Sequence, residues 1–279
     1  MLQAKIDRAL RLLSAASIKA NRPIEICYSG GKDSDVILEL ARMAGIPYRA
    51  IYKNTTIDPP GTIKHVLNQG AEIIKPAMTF GQLIQKKGLP NRWRRFCCSI
   101  LKEYKVLDYA VLGVRRDESV KRRIRYQEPE VCRVYGKGVT ARQYFPILDW
   151  DNMDVERFIT QRSIQCHPLY YDNDGRFHVE RRLGCLCCPL IYTPKRIEEF
   201  KRYPRMLLFY YRNVVKYFDT NHKSKIKDLY KGNVFDFLTA NIYCHDFKDI
   251  QDKFNDTPLF GNDAIDTKSF LESQFNVKF

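Results

Sequence analysis

No apolar run in this chain approaches the length of a membrane span. Its first residues, Met1-Leu2-Gln3-Ala4-Lys5-Ile6-Asp7, lack the apolar core of a secretory signal. These absences predict a cytoplasmic location and no membrane partner. No internal repeat and no low-complexity linker interrupts the 279 residues, enough for one large domain or a domain with an accessory part. The Gly-x4-Gly-Lys-Ser/Thr phosphate loop of kinases and GTPases is also missing. Nine cysteines in a reducing compartment are poor candidates for structural disulfides, so clustered ones point to metal or redox chemistry.

Charge is abundant and localised. Between Arg92 and Arg142 there are 14 Lys/Arg against 6 Asp/Glu, and between Thr193 and Gly232 there are 11 against 4. Those two excesses equal the whole formal charge of +15. Two basic blocks on a neutral background predict a polyanionic partner, a nucleic acid among them. The plain alternative is a nucleotide-phosphate site plus solvated lysines.

Strand-like and helix-like patterns alternate through the first half. A helix is expected over 3–19, strands at 24–28, 48–52, 72–75 and 108–114, and helices between them, with Thr79 capping one that runs through Lys87. This alternation predicts an α/β fold, a parallel sheet covered by helices on both faces. After Asp149 the pattern turns helical, at 151–162 and 194–217, so a helical C-terminal part is expected. The division predicted is 1–192 for a nucleotide-binding domain and 193–279 for a helical extension.

Four segments carry chemistry. Strand Ile24–Tyr28 runs into Ser29-Gly30-Gly31-Lys32-Asp33-Ser34 and then a helix. Two glycines allow a tight turn with amides facing a ligand, and a helix N-terminus adds free donors, so this loop suits an anion, most often phosphate. Gly113-Val114-Arg115-Arg116-Asp117-Glu118-Ser119-Val120-Lys121-Arg122 begins at a strand's carboxyl end, and its arginines suit bidentate contacts to phosphate or sulfate oxygens. Cys97-Cys98 and Gly184-Cys185-Leu186-Cys187-Cys188-Pro189 together supply four thiolates, enough for a [4Fe–4S] cube or, alternatively, for tetrahedral zinc. Cys185 and Cys188 fit the outer positions, with Cys187 an extra cysteine in the turn. Cys27 reads as a small buried hydrophobe. The fourth segment, Tyr144-Phe145-Pro146-Ile147-Leu148-Asp149-Trp150, precedes a helix, and His167-Pro168-Leu169-Tyr170 follows it.

The hexapeptide 29–34 resembles the pyrophosphate loop of the ATP pyrophosphatases, or adenine nucleotide α-hydrolases. The Gly-x-Arg-x-x-Glu-Ser-x-x-Arg pattern from Gly113 to Arg122 resembles the phosphoadenosine phosphosulfate (PAPS) reductase branch. The order Pro-Ile-x-x-Trp, helix, Pro-Leu-Tyr and Gly-Cys-x-x-Cys-Pro occurs in the same branch, so the resemblance spans roughly residues 20–200. The cysteine set is similar to that of cluster-bearing members, including adenylylsulfate reductases. The resemblance implies a Rossmann-like fold binding ATP or a sulfonucleotide with Mg²⁺. It implies Lys32, Asp33 and Arg115 as catalytic residues. Ser29, Gly30, Gly31, Ser34, Asp58, Arg115, Glu118, Ser119 and Arg122 would hold the nucleotide, and Cys97, Cys98, Cys185 and Cys188 the metal. Asp58 lies in Asn54-Thr55-Thr56-Ile57-Asp58-Pro59-Pro60, which looks like a nucleotide-edge loop; it can equally cap the next helix.

The likeness breaks at the C-terminal side. Sulfonucleotide reductases carry Glu-Cys-Gly-Leu-His with the attacking cysteine. Here Cys244, in Ile242-Tyr243-Cys244-His245-Asp246, is the only cysteine after Cys188. The ATPase component of DNA phosphorothioation systems shares this profile. The leading expectation is therefore an enzyme that cleaves ATP between its α and β phosphates, adenylates an acceptor such as nucleic acid, and supports sulfur transfer from a donor or reductant protein. Sulfonucleotide reduction to sulfite is the alternative. A non-catalytic nucleotide- or nucleic-acid-binding module is the third.

Overall fold

The structure is a computed structural model and describes residues 2–103, 108–134, 140–221, 225–243 and 266–279. Cys244 lies outside the described residues. Two compact units form. The first comprises Met1–Asn54, Asp58–Lys75 and Tyr104–Gly184, and the second Thr55–Ile57, Pro76–Glu103 and Cys185–Phe279.

In the first unit, helix α1 (Leu2–Ala20) buries Ile6, Ala9, Leu13 and Ala16 at helical spacing. Strand β1 (Ile24–Tyr28) alternates buried Ile24, Ile26 and Tyr28 with half-buried neighbours. Then come α2 (Lys32–Met43), β2 (Tyr48–Lys53), α3 (Thr62–Asn68) and β3 (Glu72–Ile74). The sheet order is β3-β2-β1-β4-β6-β5, where β4 is Ala110–Val111, β5 Glu130–Val134 and β6 Thr140–Tyr144. All pairs are parallel except β5 with β6, whose antiparallel register sets Cys132 opposite Arg142. The mostly parallel sheet with helices around it agrees with the α/β expectation.

The strand order decides where a ligand can go. From β1 the chain moves outward through β2 to β3, then returns to place β4 on the other side of β1. The carboxyl ends of β1 and β4 therefore splay their loops apart at the switch point, the usual ligand crevice of such sheets. Residues 29–32 and 113–115 leave those two ends.

Strand β4 is shorter than the expected 108–114. The Leu112 amide bonds the Tyr144 carbonyl at 3.0 Å, but Val114 N then turns back to the Leu112 carbonyl at 2.9 Å, which ends the ladder. A three-residue turn, Arg116–Glu118, and α6 (Val120–Arg125) follow, and α7 (Asn152–Gln161) starts under an Asp151 cap.

The second unit is helical: α4 (Phe80–Lys87), α5 (Phe96–Leu101), α8 (Thr193–Arg202), α9 (Pro204–Thr220), α10 (Lys225–Leu229), α11 (Val234–Tyr243) and α12 (Thr267–Phe275). The helix expected over 194–217 is divided between Tyr203 and Pro204, because proline cannot donate into a continuing helix. Thr79 does cap α4, its hydroxyl accepting from Gln82 N while its own amide donates to Gln82 Oε1. Phe80, Phe200, Leu207, Tyr210, Leu238 and Leu271 build this core. Helix α9 comes so near α4 that a methyl on Gly81 would sit 3.0 Å from Asn213 Oδ1. Residues 76–103 and 185–192 pack with these helices. Among the described residues no helix is long and apolar enough to cross a membrane.

Candidate nucleotide site and cysteine set

At the mouth of β1, Gly30 takes φ +74, a left-handed conformation that glycine adopts without strain. Gly31 is the N-cap of α2, and Ser34 Oγ donates back to its carbonyl at 2.7 Å, tying the loop to the first helical turn. Ser29 Oγ lies 3.2 Å from Ser34 Oγ. The loop encloses one wall of a cavity of about 230 Å³, lined among others by Ser29, Gly31, Lys32, Asp33, Arg122 and Arg182. That volume lies below the range of about 300–1,000 Å³ usual for whole ligands, so it suits a polyphosphate rather than an entire nucleotide.

The charges of this cavity are interlocked. Lys32 is 3% exposed, and its Nζ donates to Asp33 Oδ2 at 3.0 Å. The other oxygen of Asp33 accepts from Arg115 Nε at 2.8 Å. Arg115 is itself buried and also donates to the Trp150 carbonyl and to Asn152 Oδ1. One carboxylate thus serves two buried cations. Glu118 bonds Arg122, and Arg182 donates to the Glu118 carbonyl at 3.1 Å. Among the described residues three cations and two carboxylates line the cavity, with Arg115 behind them, so the site carries a positive excess that an anion would balance.

Backbone closeness explains a second glycine. A methyl on Gly113 would stand 3.2 Å from the carbonyl carbon, carbonyl oxygen and Cβ of Asp33. Glycine lets the β4 loop lie this close to the start of α2 without displacing either.

Of the residues singled out in the sequence, Ser29, Gly31, Lys32, Asp33, Ser34, Glu118 and Arg122 share the cavity wall. Four are placed elsewhere. Gly30 forms the turn behind it, Arg115 supports Asp33, and the Ser119 hydroxyl caps α6 by accepting from Arg122 N at 3.2 Å. Asp58 accepts from Tyr52 Oη at 2.5 Å. Cys27, read as a buried hydrophobe, is half-buried and lines the cavity; burial pushes its thiol up to about 11.

Sequence reasoning missed Arg182 and the use of Tyr170. The phenol oxygen of Tyr170 accepts from the amides of Lys32 at 3.2 Å and Leu183 at 3.3 Å. Burial raises its pKa, so it stays protonated. The Arg181-Arg182 pair just before Gly184 was the available signal.

Beneath the loop lies a buried polar network. Asp35 accepts from Tyr28 Oη, and His65 Nε2 stands 3.0 Å from the same carboxylate oxygen. Burial raises Asp35. His167 rests edge-on to His65, its Nδ1 accepts from Leu169 N, and burial lowers its pKa to about 4. These are the marks of a structural histidine, neutral near pH 7.

In the second unit Cys97, Cys98, Cys185 and Cys188 lie within electrostatic reach of one another. The Cys97 thiol bonds Cys98, which raises Cys97 and lowers Cys98, and Arg95 lowers Cys98 further. Cys187 is different. It adopts φ +54, its amide donates to Glu199 at 2.8 Å, and its carbonyl accepts from Arg196 and Tyr210, so its side chain is committed to the core. By donor type, the other four suit a thiophilic centre. Among the described residues no three His, Cys, Asp or Glu side chains stand in a metal-ligand arrangement.

Comparison with known proteins adds family membership. The chain is 28% identical over 201 residues to an uncharacterized protein of Methanocaldococcus jannaschii, covering 67% of this chain but 46% of that one, so it spans under half of this relative. Sulfate adenylyltransferase subunit 2 of Rhizobium johnstonii is 28% identical over 226 residues, covering 64% of this chain and 67% of that protein. PAPS reductase of Candida auris superposes with a TM-score of 0.44 at 19% identity, covering 63% of this chain and 87% of that one. The phosphoadenosine phosphosulfate reductase domain matches residues 23–191, more than half of the chain, and the protein belongs to that family.

Proposed function

We propose that this protein binds ATP through residues 29–34 and transfers its adenylyl group to an acceptor. An acceptor oxygen would attack the α phosphorus, the bond to the β phosphate would break, and pyrophosphate would leave. The observation that carries the reading is the cationic cavity at the N-terminus of α2, with buried Lys32 and Arg115 sharing Asp33. Helix donors and fixed cations stabilise charge growing on a leaving pyrophosphate, and because they are preorganised they need little rearrangement. Lys32 would meet that charge directly, Arg122 and Arg182 would hold the outer phosphates, and Arg115 would fix Asp33. Mg²⁺ would enter with ATP, held chiefly by its phosphates, as this ion commonly is. Membership of the PAPS reductase family and the similarity to sulfate adenylyltransferase subunits support adenylyl or sulfonucleotide chemistry.

The reading extends to the cysteines. Cys97, Cys98, Cys185 and Cys188 would hold a metal centre, a [4Fe–4S] cluster ahead of zinc, supplying an electron-transfer or sulfur-handling group when bound. Sulfur transfer to the activated acceptor, with a donor protein, would complete the activity.

The test is product analysis. ATP should yield pyrophosphate and an adenylylated acceptor or AMP, and Lys32→Ala should abolish this. Sulfite from a sulfonucleotide, with no pyrophosphate from ATP, would replace adenylation by reduction.

A further inference from the structure

The second unit has a surface that the nucleotide site does not use. Between Phe80 and Lys102 the chain carries Lys86, Lys87, Arg92, Arg94, Arg95 and Lys102 with no Asp or Glu. Trp93 sits in the middle of this run and is 84% exposed. Tryptophan is usually well buried, and the other one, Trp150, is 2% exposed. The turn is fixed: the Trp93 and Arg94 amides donate to Asn91 Oδ1 at 3.0 and 2.7 Å. Arg92 donates to the Ile191 carbonyl at 3.2 Å. That bond brings Tyr192, 71% exposed, to the same surface, with exposed Lys195 on the helix beyond it. Arg94 and Arg95 use one guanidinium nitrogen each, on the Lys87 carbonyl and the Cys98 sulfur. Among the described residues, none of Arg92, Arg94 and Arg95 forms an ion pair.

Two bare aromatic rings stand here among arginines that form no ion pair, so the surface offers apolar faces and cations side by side. The combination is what single-stranded nucleic acid takes up: bases stack on the rings and phosphates meet the cations. A duplex keeps its bases stacked inside and offers only its backbone to such a surface. We propose that Trp93 and Tyr192, with Arg92, Arg94 and Arg95, form a stacking platform for single-stranded DNA or RNA. The inference goes beyond adenylyl transfer and rests on this surface alone, so binding is measured without ATP and its failure leaves the ATP reading standing.

Trp93 supplies its own reporter, because Trp150 is enclosed. Oligo(dT) of about twelve nucleotides, within the span such sites cover, is titrated into the full chain while tryptophan fluorescence is followed. Stacking should quench the signal. Trp93→Ala, followed by fluorescence anisotropy of labelled oligonucleotide, should weaken binding about ten-fold, as loss of a stacked base does, with Trp93→Phe keeping most of it. Arg94→Glu should weaken binding and flatten its salt dependence. Heparin, a polyanion without bases, should compete without quenching. The proposal is overturned if oligo(dT) binds without quenching, if Trp93→Ala binds as wild type, or if duplex of equal length binds as tightly. Unchanged circular dichroism of Trp93→Ala guards against misfolding, and an exposed side chain makes that variant a safe one.

Discussion

Replacing Gly113 by alanine tests the geometry of the nucleotide cavity most directly. The new methyl would meet three atoms of Asp33 at 3.2 Å, two of them backbone. Non-bonded carbons prefer about 3.5–4.0 Å, so the loops must part by roughly 0.5 Å. Asp33 cannot yield alone, because it belongs to the first turn of α2. Overpacking of this kind costs about 1–3 kcal/mol. In a chain of this size each kcal/mol lowers Tm by about 2–4 °C, so a fall of about 2–12 °C is expected by calorimetry. The displaced carboxylate also carries Lys32 and Arg115. Since a misplacement of about 1 Å can cost about 100-fold, half of that should slow pyrophosphate release by about ten-fold. Gly184→Ala is the control: nothing lies within 4 Å of its added methyl. It should change stability by no more than about 0.5 kcal/mol. A Gly113→Ala protein with wild-type Tm and turnover would refute the close approach of the two loops.

Purified without oxygen, the protein should contain about four irons per chain by elemental analysis. Cys98→Ser should lose them and Cys187→Ser should keep them; stoichiometric zinc would decide for zinc instead. His167 should make the fold acid-sensitive. Its folded pKa of about 4 lies below the ordinary 6.5, so the unfolded chain binds the extra proton between those values and stability falls as pH drops from 6.5 to 4. Denaturant midpoints across that window should fall less steeply in His167→Gln, and an unchanged slope would assign the effect elsewhere. Thr79→Ala removes the hydroxyl that accepts from the Gln82 amide at the α4 cap and should cost about 1 kcal/mol by the same measurement.

The parts legible in the sequence were those with a local cause. β1, the loop and α2 announce themselves by an apolar run, two glycines and a periodic helix, and Thr79 by its partner three residues on. The antiparallel pair β5–β6 carries no legible strand signal, because Glu130–Val134 and Thr140–Tyr144 mix polar and apolar residues equally and only Ala141 and Tyr144 are buried. Their pairing comes from the neighbouring strand, which a short segment does not display. The same holds for residues 76–103. Their sequence follows the α/β pattern, yet Phe80, Leu83 and Ile84 pack with Leu207 and Tyr210, more than a hundred residues away. At the site, motif residues were readable by type, whereas the part Tyr170 plays at the loop enters only through the folded approach of distant segments, and Arg182 had only the Arg181-Arg182 pair to announce it.

The two amides that meet at Tyr170 fix the direction in which its hydroxyl can act. Oxygen of a phenol has room for about two incoming N–H groups, and those of Lys32 and Leu183 fill both. Its proton is what it has left to offer. Burial keeps that proton in place well above the ordinary range for tyrosine. The hydroxyl is thus a one-way group: it can face an oxygen that gives electron density, such as a fully ionised phosphate, and it disfavours any group that brings another hydrogen. Polarity rather than size is the filter at this wall.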